Sequence, residues 1–461
     1  MANTFLQRNF TNAPTSQTTM TYSFWVKKSA LATGNSNKGI FGHLEIGNAG
    51  NSNLQVGWTG NNDFQIGYYS NNGSDTHIDY VTNAQFKDNN GWYHVCIEIN
   101  TTLATADDRV KLYINGVLVT SYSTRSNPPQ NRTINTGNMY MYIGQYRQTG
   151  GTEIYLDGLL SEFIHSDGYA YSASTFGETD TDTGEWRIKD NPTFTPGNQG
   201  FKILSNGSTI TDQSAGSNDF TVAGGTLTNT KDCPSNVFAT MNSLANTVAP
   251  VGLTQGNNTV SMTNSKGGIL STLACTGGKY YAEMKIATAP QDFRFHWGIL
   301  PKPISAADDP INGTNAGIML SGFNAAIYAG GGSINAFYGG VGRFSGNPIL
   351  GLAIDLESAT NTIAVSVNGA WITGDNTTDA SFSNALKVDI TSYVAAYDDW
   401  FIGCGSGNSS GTTGVYNINF GNGTFGTSAV TSAGTAGSTP GTFEYDVPSG
   451  YEPLTTKGLN A

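Results

Sequence analysis

One pattern of two strands and a tight turn occurs twice in this chain, and it constrains the fold more than any other feature. In the first copy, Gly91–Ser121, residues 93–99 alternate between apolar and polar side chains, the period of two of a half-buried strand. After a polar loop, residues 110–114 alternate in the same way. Asn115-Gly116 then predicts a hairpin turn, because both residues accept a positive φ.

The second copy lies at Ile349–Thr373 and ends its second strand at Asn368-Gly369. The two turns are 253 positions apart (368 − 115 = 253). This spacing is too long for a solenoid repeat of 20–50 residues. It favours two whole domains of similar architecture.

Composition indicates the same fold class. The 461 residues include 58 glycines and only 12% charged residues, and long helical runs are missing. Many short alternating segments between Gly, Asn and Ser clusters are typical of all-β sandwiches. We predict a sandwich at 1–172, an ordered but irregular connector at 173–234, and a second sandwich at 235–461. The low-complexity stretch Gly421–Gly441 is predicted to be a mobile loop.

Several segments resemble known families. The strands "GWYHVCIEI" and "VKLYINGVLV" and the segment "IYLDGLLSEFIHSDGYAYSASTFGE" resemble laminin-G-like domains. The segments "GKYYAEMKI", "FHWGIL", "LGLAIDLESATNTIAVSVNG" and "WFIGCGSG" resemble SPRY domains. Both resemblances imply concanavalin A-like jelly rolls.

Tandem pairs of this kind that end in a segment like "VPSGYEPLTTKGLNA" resemble surface proteins of tailed phages. That resemblance implies a virion protein with capsid or tail proteins as partners. We expect a homo-oligomer, because virion proteins work in many copies and sandwich edge strands need covering; a trimer would suit a fibre.

The charge excludes some function classes. With 22 basic and 34 acidic residues the net charge is −12, and a nucleic-acid partner would need a clustered basic face. The first residues, MANTFLQRNF, lack the basic start and apolar core of a signal peptide, and no apolar stretch reaches the ~20 residues of a spanning helix. We therefore expect no nucleic acid and no membrane insertion, with synthesis in the host cytoplasm and display on the virion surface.

The four cysteines, Cys96, Cys233, Cys275 and Cys404, fit no zinc spacing. Cys96 and Cys404 lie in strand-like segments and are interpreted as small buried hydrophobic residues. A Cys233–Cys275 disulfide is the alternative that the sequence leaves open.

Glucan hydrolases of this fold carry the pattern Glu-x-Asp-x-x-Glu. The chain lacks that pattern, and Asp355 and Glu357 share only what alternation predicts to be the solvated face of a strand. We therefore predict a non-enzyme without catalytic residues, and a polysaccharide hydrolase is the weakest alternative. No cofactor is expected to be required, although laminin-G-like domains often hold Ca²⁺, for which the candidate ligands are Asp107, Asp108 and Asp157, and more weakly Asp75 and Asp79.

Glycan binding needs an aromatic platform beside amide and carboxylate groups, and functional residues concentrate in loops. The principal candidates for contact with a glycan or a partner are Trp58, Tyr68, Tyr69, Tyr80, Trp371, Tyr397 and Trp400. Their polar and aromatic neighbours are Asn61, Asn62, Asn71, Asn72, Asp75, Tyr328, Tyr338, Arg343, Asp398 and Asp399. The sequence therefore predicts a non-enzymatic virion surface protein, either a head decoration, a head fibre or a tail-fibre component. The alternative is a tail adhesin that binds host-surface polysaccharide.

Overall fold

The computed structural model describes residues 3–29, 31–32, 34, 36–45, 52–70, 73–134, 137–148, 151–205, 207, 209–245, 251–262, 267–301, 317–336, 344–375, 377–407, 413–437 and 439–460. These residues form an all-β fold in two compact units, Met1–Asn229 and Thr230–Ala461. The predicted fold class is confirmed. In the described ranges, no helix is long and apolar enough to cross a bilayer.

The first unit contains eighteen strands among its described residues. They are β1 (Phe5–Phe10), β2 (Thr19–Lys28), β3 (Lys38–Glu45), β4 (Ser52–Trp58), β5 (Asp63–Ser70), β6 (Asp75–Gln85), β7 (Tyr93–Asn100), β8 (Val110–Ile114), β9 (Val117–Leu118), β10 (Tyr122–Ser126), β11 (Met139–Ile143), β12 (Gln145–Arg147), β13 (Glu153–Tyr155), β14 (Gly158–Asp167), β15 (Gly177–Thr179), β16 (Trp186–Ile188), β17 (Phe201–Ile203) and β18 (Thr221–Gly224). Short 3-10 helices lie at Ala106–Asp108 and Ala173–Thr175.

Two sheets of this unit enclose its main core. One sheet has the strand order β10-β6-β5-β4-β3-β11-β1-β18, and the other has the order β17-β14-β2-β7-β8-β9. The apolar half of each alternating strand faces the core, as Tyr22, Phe24 and Val26 do on β2. Burying a side chain of this size stabilises the fold by roughly 1.5–3 kcal/mol.

The segment that was predicted to be a connector packs on the first unit. Strand β17 pairs with β14, and β18 pairs with β1. The hairpin β15–β16 lies on the outer face of the six-stranded sheet, where Trp186 Nε1 donates a hydrogen bond to His94 Nδ1 at 3.0 Å. His94 is fully buried there, as expected for a packed histidine.

The second unit continues with strands β19 to β36. They are β19 (Val251–Thr254), β20 (Thr259–Met262), β21 (Gly267–Leu270), β22 (Lys279–Thr288), β23 (Phe295–Leu300), β24 (Ile318–Ser321), β25 (Ala326–Ala329), β26 (Gly332–Ala336), β27 (Ile349–Asp355), β28 (Thr362–Val367), β29 (Ala370–Ile372), β30 (Thr378–Asp379), β31 (Val388–Asp389), β32 (Phe401–Ser406), β33 (Gly414–Asn419), β34 (Thr424–Phe425), β35 (Ser428–Ala429) and β36 (Glu452–Pro453). The helix α1 spans Thr391–Val394, and 3-10 helices lie at Gln291–Phe293, Phe382–Asn384 and Gly458–Asn460.

The larger main sheet of the second unit has ten strands: eight in the order β19-β20-β33-β22-β27-β28-β29-β30, with β31 paired to β28 and β36 paired to β22. The other main sheet has the order β21-β32-β23-β24-β25-β26. A second core lies between them and includes Trp297 and Leu352. Both units thus follow the alternation that the sequence predicts.

The two Asn-Gly turns have the same geometry. Their φ values are 47° and 78° at Asn115-Gly116, and 49° and 79° at Asn368-Gly369. In each turn the Asn side-chain oxygen accepts a backbone N–H from the strand that pairs with the one leading into the turn. The donor is His94 of β7 at 2.8 Å in the first unit and Ile349 of β27 at 2.9 Å in the second. The repeated hairpin is confirmed.

Three local predictions are corrected. Strand β27 ends at Asp355, whose buried carboxylate accepts the backbone N–H groups of Glu357 and Ser358, so these acids do not share a solvated strand face. The segment predicted to be a mobile loop carries the hairpin β34–β35 and a backbone hydrogen bond from Gly434 to Phe443. All four cysteines are free thiols, so the Cys233–Cys275 disulfide is not formed. Cys96 and Cys404 are buried as predicted.

Residues 441–457, here called the C-terminal cover, pack on the ten-stranded sheet. Phe443, Val447 and Tyr451 lie on its outer face, whereas β36 pairs with β22 and Leu454 lies in the main core. Phe443 packs on Tyr281 with ring centroids 5.0 Å apart. Beneath the cover, the fully buried carboxylate of Glu283 accepts the backbone N–H groups of Glu444 and Tyr445, both at 2.9 Å. Burial raises the pKa of Glu283 to about 7, although these donors lower it in part.

This arrangement predicts a pH-dependent stability of the second unit. Because the folded-state pKa of Glu283 is raised above its ordinary 4.5, the folded unit binds the proton more tightly. The stabilisation that this tighter proton binding contributes is on the order of 3 kcal/mol. It is complete below pH ~4.5 and is lost as the pH rises through ~7. Thermal melts from pH 4 to 8 should show this loss as a melting temperature that falls with pH. Glu283→Gln should remove the part of this pH dependence that Glu283 contributes. Glu357→Gln, at an exposed position of the same unit, should keep the slope; equal slopes for all three proteins would contradict the assignment.

Candidate ligand-binding face

The aromatic residues that the sequence assigns to glycan-binding loops are mostly core residues. Trp58, Tyr68 and Tyr80 are each 1% exposed and lie in the core of the first unit. They occupy the apolar positions of β4, β5 and β6, so their rings face the opposite sheet and cannot form a platform at the surface. This placement corrects the interpretation of these three residues.

In the second unit, Trp371 packs beneath the C-terminal cover with Tyr281, and Trp400 lies in the main core, where its Nε1 donates to the Val394 carbonyl at 3.2 Å. Tyr397 is half-buried, with its ring 5.7 Å from that of Trp400. Asn71, Asn72, Tyr338 and Arg343 lie outside the described residues.

The structure also separates the three predicted calcium ligands. Asp107 and Asp108 follow β7, whose last residue, Asn100, pairs with the first residue of β2. Asp157 precedes β14, whose first residue pairs with Lys28 at the other end of β2. Ten residues of strand span roughly 30 Å, so these carboxylates cannot bind one ion.

Each of these acids has a basic neighbour instead. Asp107 contacts Arg125 at 3.5 Å, and Asp157 contacts Lys38 at 3.6 Å. In the part of the chain that the structure describes, no group of three or more His, Cys, Asp or Glu residues could hold a metal ion.

A different set of residues forms a polar surface on the first unit. On β4, β5 and β6 the apolar residues face the core, and the residues between them face outward. We call the outward side chains of this region the polar face; its members are Asn53, Gln55, Gln65, Tyr69 and Asp79.

Strand register brings these side chains together. Asn53 lies opposite Tyr69, Gln55 lies opposite Gly67, and Gly67 in turn lies opposite Asp79. Adjacent strands are ~4.8 Å apart, so Gln55 and Asp79 are separated by one glycine and about 10 Å. The missing side chain at Gly67 leaves space that the Tyr69 ring occupies: a Cβ there would lie 2.4 Å from Tyr69 Cε2.

The hairpin β12–β13 borders the polar face on one side. It rests on β3, where a Cβ at Gly42 would lie 2.8 Å from Tyr146 Cβ and one at Gly39 would lie 2.2 Å from the Ile154 carbonyl oxygen. Only glycine permits so close an approach of a second backbone. The hairpin therefore separates β4–β6 from the outward residues of β11 and β1.

Hydrogen bonds within the polar face leave some groups without partners. Gln55 Nε2 donates to Asn53 Oδ1 at 3.2 Å, and the Gln65 side chain bonds to both Tyr69 and Asp79. However, Asn53 Nδ2 and Asp79 Oδ1 are buried and have no hydrogen-bond partner. Asn53 as a whole is only 1% exposed. An unpaired buried polar group costs about 1–3 kcal/mol, which makes these atoms candidates for ligand contacts.

Electrostatics of the polar face follow from burial. Burial raises the pKa of the Asp79 carboxyl, against the hydrogen bond from Gln65. Burial, and then the nearby Asp79 charge, raise the pKa of Tyr69 to about 12. Tyr69 is therefore a neutral hydroxyl at neutral pH, and the polar face offers amide, hydroxyl and carboxyl groups. Retaining glycosidases need two carboxyl groups ~5 Å apart, and this face carries one.

Of the polar face, Tyr69 was predicted from the sequence as a contact residue and Asp79 as a weaker metal candidate. Asn53, Gln55 and Gln65 were not predicted. The signal was present in SNLQVGW and DFQIGYYS, where polar residues alternate with the apolar ones that form the core.

Comparison with known proteins identifies the fold of this region. Residues 7–174 match the family model Laminin_G_3, described as the concanavalin A-like lectin/glucanases superfamily. No curated protein matches the chain.

Three solved structures are similar to parts of the chain. They are a heptameric SAP-like pentraxin from Limulus polyphemus (15% identity, 44% of this chain and 90% of that chain, TM-score 0.29), the SPRY domain of human HERC1 (12% identity, 39% and 96%, TM-score 0.28) and domains LG4-5 of the mouse laminin alpha1 chain (10% identity, 90% and 78%, TM-score 0.28). At these TM-scores they add nothing to the family match. The polar face therefore lies on a domain similar to concanavalin A-like lectin/glucanase domains.

The unpaired amide of Asn53 gives a prediction about stability. Asn53→Leu has a similar shape and removes the unpaired donor, so the first unit should gain about 1 kcal/mol in the free energy of unfolding. Asn218 is also buried, but its side chain bonds to Arg8, Asn198 and Gly200. Asn218→Leu should therefore lose 1–3 kcal/mol. Chemical denaturation of both variants measures the difference, and a loss at Asn53 equal to that at Asn218 would count against an unpaired amide.

Proposed function

We propose that this chain is a non-catalytic carbohydrate-binding protein displayed on the surface of a tailed-phage particle. The observation that carries the binding role is the polar face, with its buried unpaired donor and acceptor and its half-buried tyrosine. The match of residues 7–174 to the lectin/glucanase superfamily supports the same role.

The chemistry of the polar face suits sugars. Each sugar hydroxyl can both donate and accept a hydrogen bond, and Asn and Gln side chains offer both partners in a fixed geometry. The Tyr69 ring adds an apolar surface on which a sugar ring can pack. A ligand that pairs Asn53 Nδ2 and Asp79 Oδ1 would recover the cost of burying these groups unpaired.

The virion location is supported by the sequence resemblance to tandem phage surface proteins. Display in many copies would raise avidity by roughly 10²–10⁴ over one weak site. We propose a homo-oligomer that contacts capsid or tail proteins, as a head decoration, a head fibre or a tail-fibre component. A receptor-binding adhesin of the tail is the alternative.

Binding to host envelopes tests the carbohydrate role. The fluorescently labelled full-length chain should bind host envelope polysaccharide and should release no new reducing ends from it. Binding that survives removal of the polysaccharide, or no binding at all, would contradict the proposal.

Particle composition tests the location. Quantitative mass spectrometry of purified particles should find the chain, and immunogold labelling should show where it lies. Hundreds of copies over the head would indicate decoration or head fibres, and a few copies at the tail would indicate the adhesin. Particles without the chain would overturn the virion assignment.

A further inference from the structure

We infer that the polar face selects an uncharged oligosaccharide of at least two sugar units and rejects acidic polysaccharides. This inference rests on the proposed carbohydrate-binding function and specifies its ligand class.

The charge of the polar face carries the first step. Asp79 is the one ionisable acid among its five side chains, and none of the five is basic. Recognition of a carboxylate or sulfate group relies on Arg or Lys, with Arg giving paired hydrogen bonds. An acidic sugar placed over Asp79 would instead meet a like charge with no cation to offset it.

The nearest basic residue of the bordering hairpin does not change this balance. Arg147 pairs with Glu153 at 2.5 Å, and its guanidinium lies 4.6 Å from the centre of the Tyr142 ring. Tyr142 faces outward from β11, on the other side of the hairpin from β4–β6. Arg147 is thus neutralised and directed away from the polar face.

The positions of the two unpaired atoms set the ligand length. Asn53 and Asp79 lie two strands apart and two residues apart along the strand direction. With ~4.8 Å between strands and ~3.4 Å per residue, their backbones are about 12 Å apart. A ligand of at least two linked sugar units suits a separation of this length.

The kinds of unpaired atom indicate uncharged groups. Asn53 Nδ2 is a donor that needs an acceptor, and Asp79 Oδ1 is an acceptor that needs a donor. Hydroxyl and acetamido groups supply both kinds, whereas a carboxylate supplies acceptors alone. Burial raises the pKa of the Asp79 carboxyl, and a hydroxyl can donate a hydrogen bond to this carboxyl in either protonation state.

Calorimetric titration of the full-length chain tests the inference. The neutral probes are maltohexaose, cellohexaose, chitohexaose and dextran, and the acidic probes are alginate, polygalacturonate and heparin. At least one neutral probe should bind, the acidic probes should bind at least tenfold more weakly, and the corresponding monosaccharides should not bind measurably.

Four variants, one of them a control, test whether the polar face binds the probe. Gln55→Ala should weaken binding of the neutral probe about tenfold, because a paired amide is lost. Gln7→Ala is the matched control: Gln7 faces outward from β1 on the same sheet, beyond the hairpin, and its loss should change nothing. Asp79→Asn should raise the ratio of acidic to neutral affinity at least tenfold. Melting temperatures show whether each variant is folded. Asn53→Leu, which is expected to be more stable, should also fail to bind the neutral probe.

The outcomes are distinguishable. Preference for acidic probes, or neutral binding that Gln55→Ala leaves intact, overturns the inference while carbohydrate binding stands. Failure of every probe, together with no binding to host envelope polysaccharide, overturns both.

Discussion

Each large sheet in this protein has two faces, and a single core can cover only one of them. The strict alternation of apolar and polar residues determines which face is which, because successive side chains of a strand point to opposite sides. The other face must be covered by another segment, hydrated or used for binding. Much of the remaining structure depends on which segment, if any, covers each outer face.

Two outer faces are covered by segments that look irregular in sequence. The hairpin β15–β16 places Trp186 on the six-stranded sheet of the first unit, where Cys96 and Phe176 are buried. The C-terminal cover places Phe443 on the ten-stranded sheet of the second unit, and Glu283 binds its backbone. On the eight-stranded sheet, the hairpin β12–β13 covers β3, and its strand β12 reaches the edge of β4. The polar face on β4–β6 is the region next to that boundary, and its side chains are amides rather than apolar groups.

The sequence predicted the class of fold well because the signals are local. The period of two, the Asn-Gly turns and the glycine-rich loops each act over a few residues, and both hairpins formed where they were expected. The residues of the polar face were harder to predict, because aromatic residues were favoured for their type rather than for their position on the strand. Trp58 and Tyr80 are next to polar residues in sequence, but their register on the strand places them in the core. The period of two that predicted the first hairpin also holds on β4 and β5, where it places Gln55 and Gln65 on the outward face.

Contacts between distant segments could not be read from the chain. Nothing local in residues 441–457 indicates that they lie on Tyr281, and nothing near Asp157 shows that the length of a strand separates it from Asp107. Such pairings depend on which strands become neighbours, which is a property of the whole sheet.

The Asn-Gly turns also affect the chemical ageing of the protein. In a flexible chain, an Asn followed by Gly cyclises readily, because the Gly nitrogen can attack the Asn side-chain carbon and release ammonia. Here the Asn115 and Asn368 side chains accept a backbone N–H from β7 and from β27, respectively, and both turns are held at a positive φ. The hydrogen bond that sets each hairpin therefore also restrains the side chain from reaching the Gly nitrogen. Folding therefore protects two of the seven Asn-Gly sequences of the chain from deamidation.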